Sequence, residues 1–127
     1  MRLLLDTHIF LWACITPEKL PAIVAPAIAD PNNELLVSAV TAWEIAIKRA
    51  AGRLHFPLEQ WEVETAQIGV WTLPITHAHG IAAGALPRHH TDPFDRMLVA
   101  QAHLEGLTLV TSDRKLRSYN IPLFPPA

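Results

Sequence analysis

At 127 residues, half of them hydrophobic and 17% charged, the chain suits one globular domain over residues 1–127 and excludes a disordered or fibrous protein. A net charge of −2, from 12 acidic and 10 basic residues, excludes a globally basic nucleic-acid binder, although setting four clustered acids aside leaves a mildly basic remainder. The lone Cys14 allows no internal disulfide and fits a reducing cytoplasm; the start lacks a signal-peptide core, and the uncharged stretch 65–87 is too interrupted by proline, histidine and glycine to span a membrane.

Leu3, Leu4 and Leu5, bounded by Arg2 and Asp6, read as a strand buried on both faces, as in a parallel sheet. Asp6 stands where that strand ends and a helix over residues 7–14, apolar nearly all round, begins. Pro17, Pro21 and Pro26 punctuate the next helical stretch, and Pro26 within residues 22–29 implies a kink or two short pieces. A turn at Asp30, Pro31, Asn32 and Asn33 leads to a second buried strand, Leu35, Leu36 and Val37. After Ser38, the spacing of Thr41 and Glu44 reads as a capping box opening a helix over residues 43–51, which Gly52 ends.

Pro57 starts another helix, with Leu58, Trp61, Thr65 and Ile68 on one face, and residues 70–73 form a third strand. Residues 77–85, rich in alanine and glycine, suit a short, closely packed helix. The polar loop Arg88, His89, His90, Thr91 precedes a helix with Asp92 at N-cap, Pro93 at N1 and Asp95 at N3. Phe94, Met97, Leu98 and Ala102 give that helix its core stripe, and Gly106 closes it. Residues 107–110 are a fourth strand, Thr111, Ser112 and Asp113 open a short helix, and residues 121–124 make an edge strand. Strands alternating with helices imply right-handed crossovers and a three-layer α/β/α sandwich around a mostly parallel sheet of about five strands.

Asp6, Glu44, Asp95 and Asp113 each have a structural explanation as first-turn acids, worth about 0.3–1 kcal/mol apiece at a helix N-terminus. As a set they do more. Asp6 and Asp113 follow strands, Glu44 follows one after a short loop, and Asp95 opens the helix leading into the fourth strand. The carboxyl ends of parallel strands share one edge, where ligands bind in open α/β sheets. Clustered carboxylates repel one another unless a cation neutralises them, and oxygen donors without cysteine or a histidine pair suit Mg²⁺ or Mn²⁺. Such a site can activate water and stabilise charge on a phosphodiester.

These residues carry a family resemblance over residues 2–124. Leu4, Leu5, Asp6, Thr7 and His8, then Val37, Ser38 and Ala39 followed by Trp43, Glu44, Ile45, Ala46, Ile47 and Lys48, form its first two blocks. The run from Asp92 and Pro93 through Ala102, and Leu109, Val110, Thr111, Ser112 and Asp113, form the others. In this order they resemble the PIN-domain ribonucleases, and more narrowly the VapC-type toxins of toxin–antitoxin pairs. The resemblance implies a PIN-like α/β/α sandwich, Mg²⁺- or Mn²⁺-dependent endoribonuclease activity, a homodimer, and a cognate antitoxin partner. It places the catalytic and metal-binding acids at Asp6, Glu44, Asp95 and Asp113, with Asp113 acting through water and Glu44 sharing metal binding with water positioning.

Thr7, Ser38 and Thr111 flank these acids as hydroxyls able to hold them, and are equally explained as local caps. Asp92 is a fifth carboxylate or a cap, and its place before Pro93 is sufficient for capping. His77 and His79 diverge on a helix and make a poor metal pair. His89 and His90 fit either phosphate contact or a solvated loop, and Lys48, Arg49 and Arg53 either an RNA-tracking or a solvated basic face. Trp12, Trp43, Trp61 and Trp71 read as core, Gly80 and Gly84 as helix packing, and Cys14 as a small core residue.

A phosphorylation-dependent receiver would need an acidic pair at Asp6 and a lysine after its last strand. A haloacid-type phosphatase would need an acid where His8 stands, and the five glycines form no nucleotide loop. The rival that survives is a non-catalytic PIN-like domain binding RNA or protein.

Overall fold

Three unbroken leucines make sense only in a strand with apolar neighbours on both faces, and the structure places them at the centre of the sheet. The computed structural model describes residues 1–126. Its strands are β1 (Arg2–Leu5), β2 (Glu34–Ser38), β3 (Val70–Leu73), β4 (Thr108–Val110) and β5 (Leu123–Phe124). They lie in the order β3-β2-β1-β4-β5, and every pairing is parallel. Helices α1 (Thr7–Ile15), α2 (Val24–Ala29), α3 (Ala39–Ala50), α4 (Trp61–Ile68), α5 (His77–Ala85) and α6 (Pro93–Glu105) connect and cover them. This is the expected α/β/α sandwich. Among the described residues, no helix is long and apolar enough to cross a membrane.

Alternation along β1 feeds two cores. Leu3 and Leu5 pack with Ile9, Phe10, Val24, Ile45 and Phe56 on one face. Leu4 packs with Leu36, Leu98, Val99, Leu109 and Leu116 on the other. Leu5 pairs with both Val37 and Val110, so the residues that follow these strands (Asp6, Ser38 and Thr111) emerge side by side at one edge.

Several local expectations are corrected. Helix α3 begins at Ala39, four residues early, because the Ser38 hydroxyl accepts the Val40 N–H at 3.0 Å and caps it. Thr41 therefore lies inside the first turn and Glu44 in the second, so the two form no capping box. The capping box that does exist joins Thr76 and His79: each side chain accepts the other's backbone N–H, at 3.2 Å and 3.0 Å. Pro26 neither kinks nor breaks α2, since it sits in the first turn, where a missing N–H forfeits no helical bond. Residues 24–29 are thus one unbroken helix, and a separate 3₁₀ turn, Pro17–Lys19, precedes it. After Pro57 a second 3₁₀ turn, Leu58–Gln60, precedes α4, which starts at Trp61.

Side-chain burial brings further corrections. Trp12 and Trp61 pack against the core, but Trp43 and Trp71 are 61% and 73% exposed. A β-carbon at Gly80 or Gly84 would meet no heavy atom within 4 Å, so α5 owes no close packing to them. Cys14 packs against the core as expected, where burial and then the charge of Glu64 push its thiol up to about 12.

Leu4 has no exposed surface. Leu4→Ala, which leaves a cavity under α6, is expected to cost about 2–5 kcal/mol in urea unfolding; a loss below about 1 kcal/mol would contradict its central place.

Candidate active site

Order β3-β2-β1-β4-β5 makes β1 the point from which the chain departs first to one side and then to the other. In an open parallel sheet the crevice outside that switch point is left uncovered by connections. A cleft of about 410 Å³ lies there, lined by Asp6, Glu44, Asp95 and Asp113 together with Asp92, Thr7, His8, Trp12, Lys48 and Ser112. A larger groove of about 600 Å³, beside α2 and the end of α4, has Asp30 as its one acidic lining residue and no comparable grouping.

Each acid is fixed by specific donors. Asp6, 5% exposed, caps α1 by accepting the Ile9 N–H at 2.8 Å and also hydrogen-bonds the Thr111 side chain. Burial raises its pKa, against the lowering effects of Thr111, the Ile9 amide and His8; the charge of Glu44 adds to the rise. Glu44, equally buried, accepts the Thr7 hydroxyl at 2.6 Å through Oε1 and the Lys48 ammonium at 2.6 Å through Oε2. Thr7 spends its one proton on Glu44, so the Thr41 hydroxyl 3.1 Å away donates to Thr7. A chain Thr41→Thr7→Glu44 results.

Asp95 stands at the third position of α6, where Asp92 Oδ1 accepts the N–H groups of Phe94 and Asp95 at 2.8 Å and 3.2 Å. Asp92 thus caps as expected while also lining the cleft. Burial first, and then the charge of Asp92, push Asp95 up to about 7 against the pull of His90, with Asp6 and Glu44 adding to the rise. Asp113 caps the 3₁₀ turn Arg114–Ser118, accepting the Lys115 N–H at 2.9 Å. Burial acts to raise its pKa, but the Lys115 amide, His90 and the Lys115 charge together hold it below the usual range.

The flanking hydroxyls divide. Thr7 touches Glu44, and Thr111 touches Asp6 while accepting the Asp113 N–H at 3.0 Å. Ser38 is taken up as the cap of α3.

Sequence reasoning gave His90 no decided role, yet its Nε2 lies 3.0 Å from Asp113 Oδ2 and 3.2 Å from Asp95 Oδ2. The signal available was its place two residues before the Asp92 cap. His79 is buried within its capping box and His77 is exposed; His89 packs edge-on to Tyr119. The basic face of α3 is largely spoken for, Lys48 by Glu44 and Arg49 by Glu59 at 2.9 Å.

A carboxyl whose folded pKa is raised contributes its full stability below its unfolded value, about 4, and loses that share as pH climbs through about 7. Asp95→Asn in EDTA is therefore expected to stabilise the protein near pH 8 by on the order of 1–2 kcal/mol, a figure reduced for solvent at a side chain 25% exposed. Near pH 4 the variant and wild type should unfold alike. Equal stability at both pH values would show that Asp95 ionises without strain.

Comparison with known proteins agrees with this architecture. The PIN domain family model matches residues 3–122. Ribonuclease VapC22 of Mycobacterium tuberculosis H37Rv is 35% identical over 122 residues, covering 94% of this chain and 92% of its own. A chain in the crystal structure of VapBC2 from Rickettsia felis, bound to a promoter DNA fragment, superposes with a TM-score of 0.71 at 19% identity, covering 97% of each chain. A chain of a toxin-antitoxin complex from Klebsiella pneumoniae gives a TM-score of 0.61 at 17% identity, covering 92% of each. With its parallel sheet, its acids at the switch point and this match over nearly its whole length, the chain belongs to the PIN domain family.

Proposed function

We propose that the protein is a metal-dependent endoribonuclease, the toxin of a VapBC-type pair, and that Asp6, Glu44, Asp95 and Asp113 form its catalytic and metal-binding set. One observation carries the reading: four carboxylates from four separate segments line a single cleft at the switch point of the sheet. The relative named as a ribonuclease supports the activity.

The donors fit a hard divalent cation. They are carboxylate oxygens, and the pKa values of Asp6 and Asp95 are raised first by burial and then by neighbouring negative charge, both of which a bound cation would offset. Asp6 and Asp95 would hold Mg²⁺ or Mn²⁺, with Glu44 and Asp113 completing the set. Such a cation supplies a Lewis acid for the phosphodiester and lowers the pKa of bound water. The protein's own groups do the rest. Thr7 and Lys48 fix both oxygens of Glu44, so its carboxylate keeps one orientation at the cleft. The Ile9 amide and Thr111 hold Asp6 rigid at the end of β1.

RNA is the substrate and a cognate antitoxin the regulator in this reading, and the complexes among the structural neighbours support that partner. The homodimer belongs to the same proposal. Trp43 and Ile47 expose an apolar stripe one turn apart on α3, and Ile81 on α5 is 71% exposed, as a protein-contacting surface would require. The free, half-buried thiol of Cys14 suits a reducing cytoplasm.

Asp6→Asn is the informative variant, because asparagine caps a helix as well as aspartate and so preserves α1. Wild type should cut RNA with Mg²⁺ or Mn²⁺ and stop in EDTA, and Asp6→Asn should lower cleavage by at least about a hundredfold at an unchanged fold. EDTA-resistant cleavage, or an undiminished variant, would refute the role. Absence of cleavage by wild type on any RNA, with RNA still bound, would turn the reading to a binding domain.

A further inference from the structure

Against two of the acids that line the cleft lies a group that the acidic set does not account for. His90 is held in its loop by the ring itself: Nδ1 accepts the backbone N–H of Asp92 at 3.1 Å. A backbone amide can only donate, so Nδ1 carries no proton and the ring's proton must sit on Nε2. That nitrogen faces Asp113 Oδ2 at 3.0 Å and Asp95 Oδ2 at 3.2 Å. Histidines that bind metals have the opposite polarity, with the far nitrogen donating outward and the near one offering a lone pair.

We propose that His90 is a positioning residue of the site and no metal ligand: a hydrogen-bond donor locked in one tautomer, a clamp that holds Asp113 beyond β4 in place beside Asp95 on α6. The inference rests on the metal-site reading above and adds to it the element that joins two of its acids.

The loop is built to deliver that one N–H group. Tyr119, 6% exposed, accepts the His90 backbone N–H at 3.1 Å and donates its hydroxyl proton to the Pro87 carbonyl at 2.9 Å. The Arg96 guanidinium reaches the carbonyls of Ala83, Leu86, Pro87 and His90 at 3.0–3.3 Å. So dense a set of bonds on a short polar loop leaves the imidazole little freedom. Asp113 needs such a hold: its side chain is 35% exposed, and apart from the Lys115 amide its carboxylate is held by His90. The one N–H group is donated to Asp113, while Asp95 Oδ2 lies against the same nitrogen by charge and proximity, so His90 sets where Asp113 stands beside Asp95 before any cation arrives.

Two measurements on the full chain test the clamp. Long-range ¹H–¹⁵N correlation on protein labelled at histidine nitrogen should show His90 protonated at Nε2 and bare at Nδ1, both without metal and in saturating Mg²⁺. A bare Nε2, or one that loses its proton when Mg²⁺ is added, would overturn the proposal and make His90 a ligand. Calorimetric titration with Mg²⁺ should show affinity weakened about 10–100-fold in His90→Ala, with a smaller loss in His90→Gln, whose amide can still donate. His90→Gln also serves should His90→Ala fail to fold. Both variants binding as tightly as wild type would overturn the clamp and leave the metal site standing. Wild type binding neither Mg²⁺ nor Mn²⁺ would overturn the metal reading, and the clamp with it.

Discussion

Everything at the open edge of this sheet depends on the electrostatic cost of crowding carboxylates where water is scarce. Asp6 and Glu44 are each 5% exposed, and Asp95 feels Asp92, Asp6 and Glu44 at once. Left to themselves such groups would protonate or move apart. The fold prevents separation by giving three of the four separate donors: the Ile9 amide and Thr111 for Asp6, Thr7 and Lys48 for Glu44, Lys115 and His90 for Asp113. These bonds orient the acids but do not discharge them, since Asp95 remains pushed up to about 7. A site kept short of positive charge in this way favours a cation.

The core supplies the rigidity to hold that arrangement. Fully buried Leu3, Leu4 and Leu5 tie β1 into both apolar layers, and Asp6 follows with no intervening residue. Asp6 N donates to the Val110 carbonyl at 3.0 Å, so the ladder between β1 and β4 runs on into the site itself. Stability is thus concentrated one residue away from the least comfortable charges in the molecule. Local rules of burial are broken at the acids and upheld immediately beneath them, the pattern of a functional site on an otherwise consistent fold.

Much of this was legible in the sequence where a signal is local and has one physical meaning. An apolar run without alternation meant a doubly covered strand, and Asp92 before Pro93 meant a helix start. What failed were choices between near-equal neighbours. Ser38 and Thr41 both suit a cap, and pairing of β2 through Ser38 decided for the earlier one. The capping box at Thr76 escaped notice because histidine takes the place that glutamate or glutamine normally fills. Trp43 and Trp71 look like core in any one-dimensional pattern; exposure is settled by which elements arrive opposite them. His90 was hidden for a related reason. Its significance comes from Asp113, 23 residues on, and from a loop conformation fixed by Arg96 and Tyr119.

The most direct test of the central claim is thermal unfolding of wild type and of the Asp6→Asn/Asp95→Asn double variant, each in EDTA, Mg²⁺ and Mn²⁺. A cation that binds only the folded state must raise its melting temperature, by about 2.7 kcal/mol of stability at a hundredfold excess over Kd. The account predicts a clear rise for wild type with either ion and none for the double variant, which should already be the more stable of the two in EDTA at neutral pH. No rise in wild type at millimolar metal, together with a double variant less stable in EDTA, would contradict it and leave the acids as structural groups of the fold.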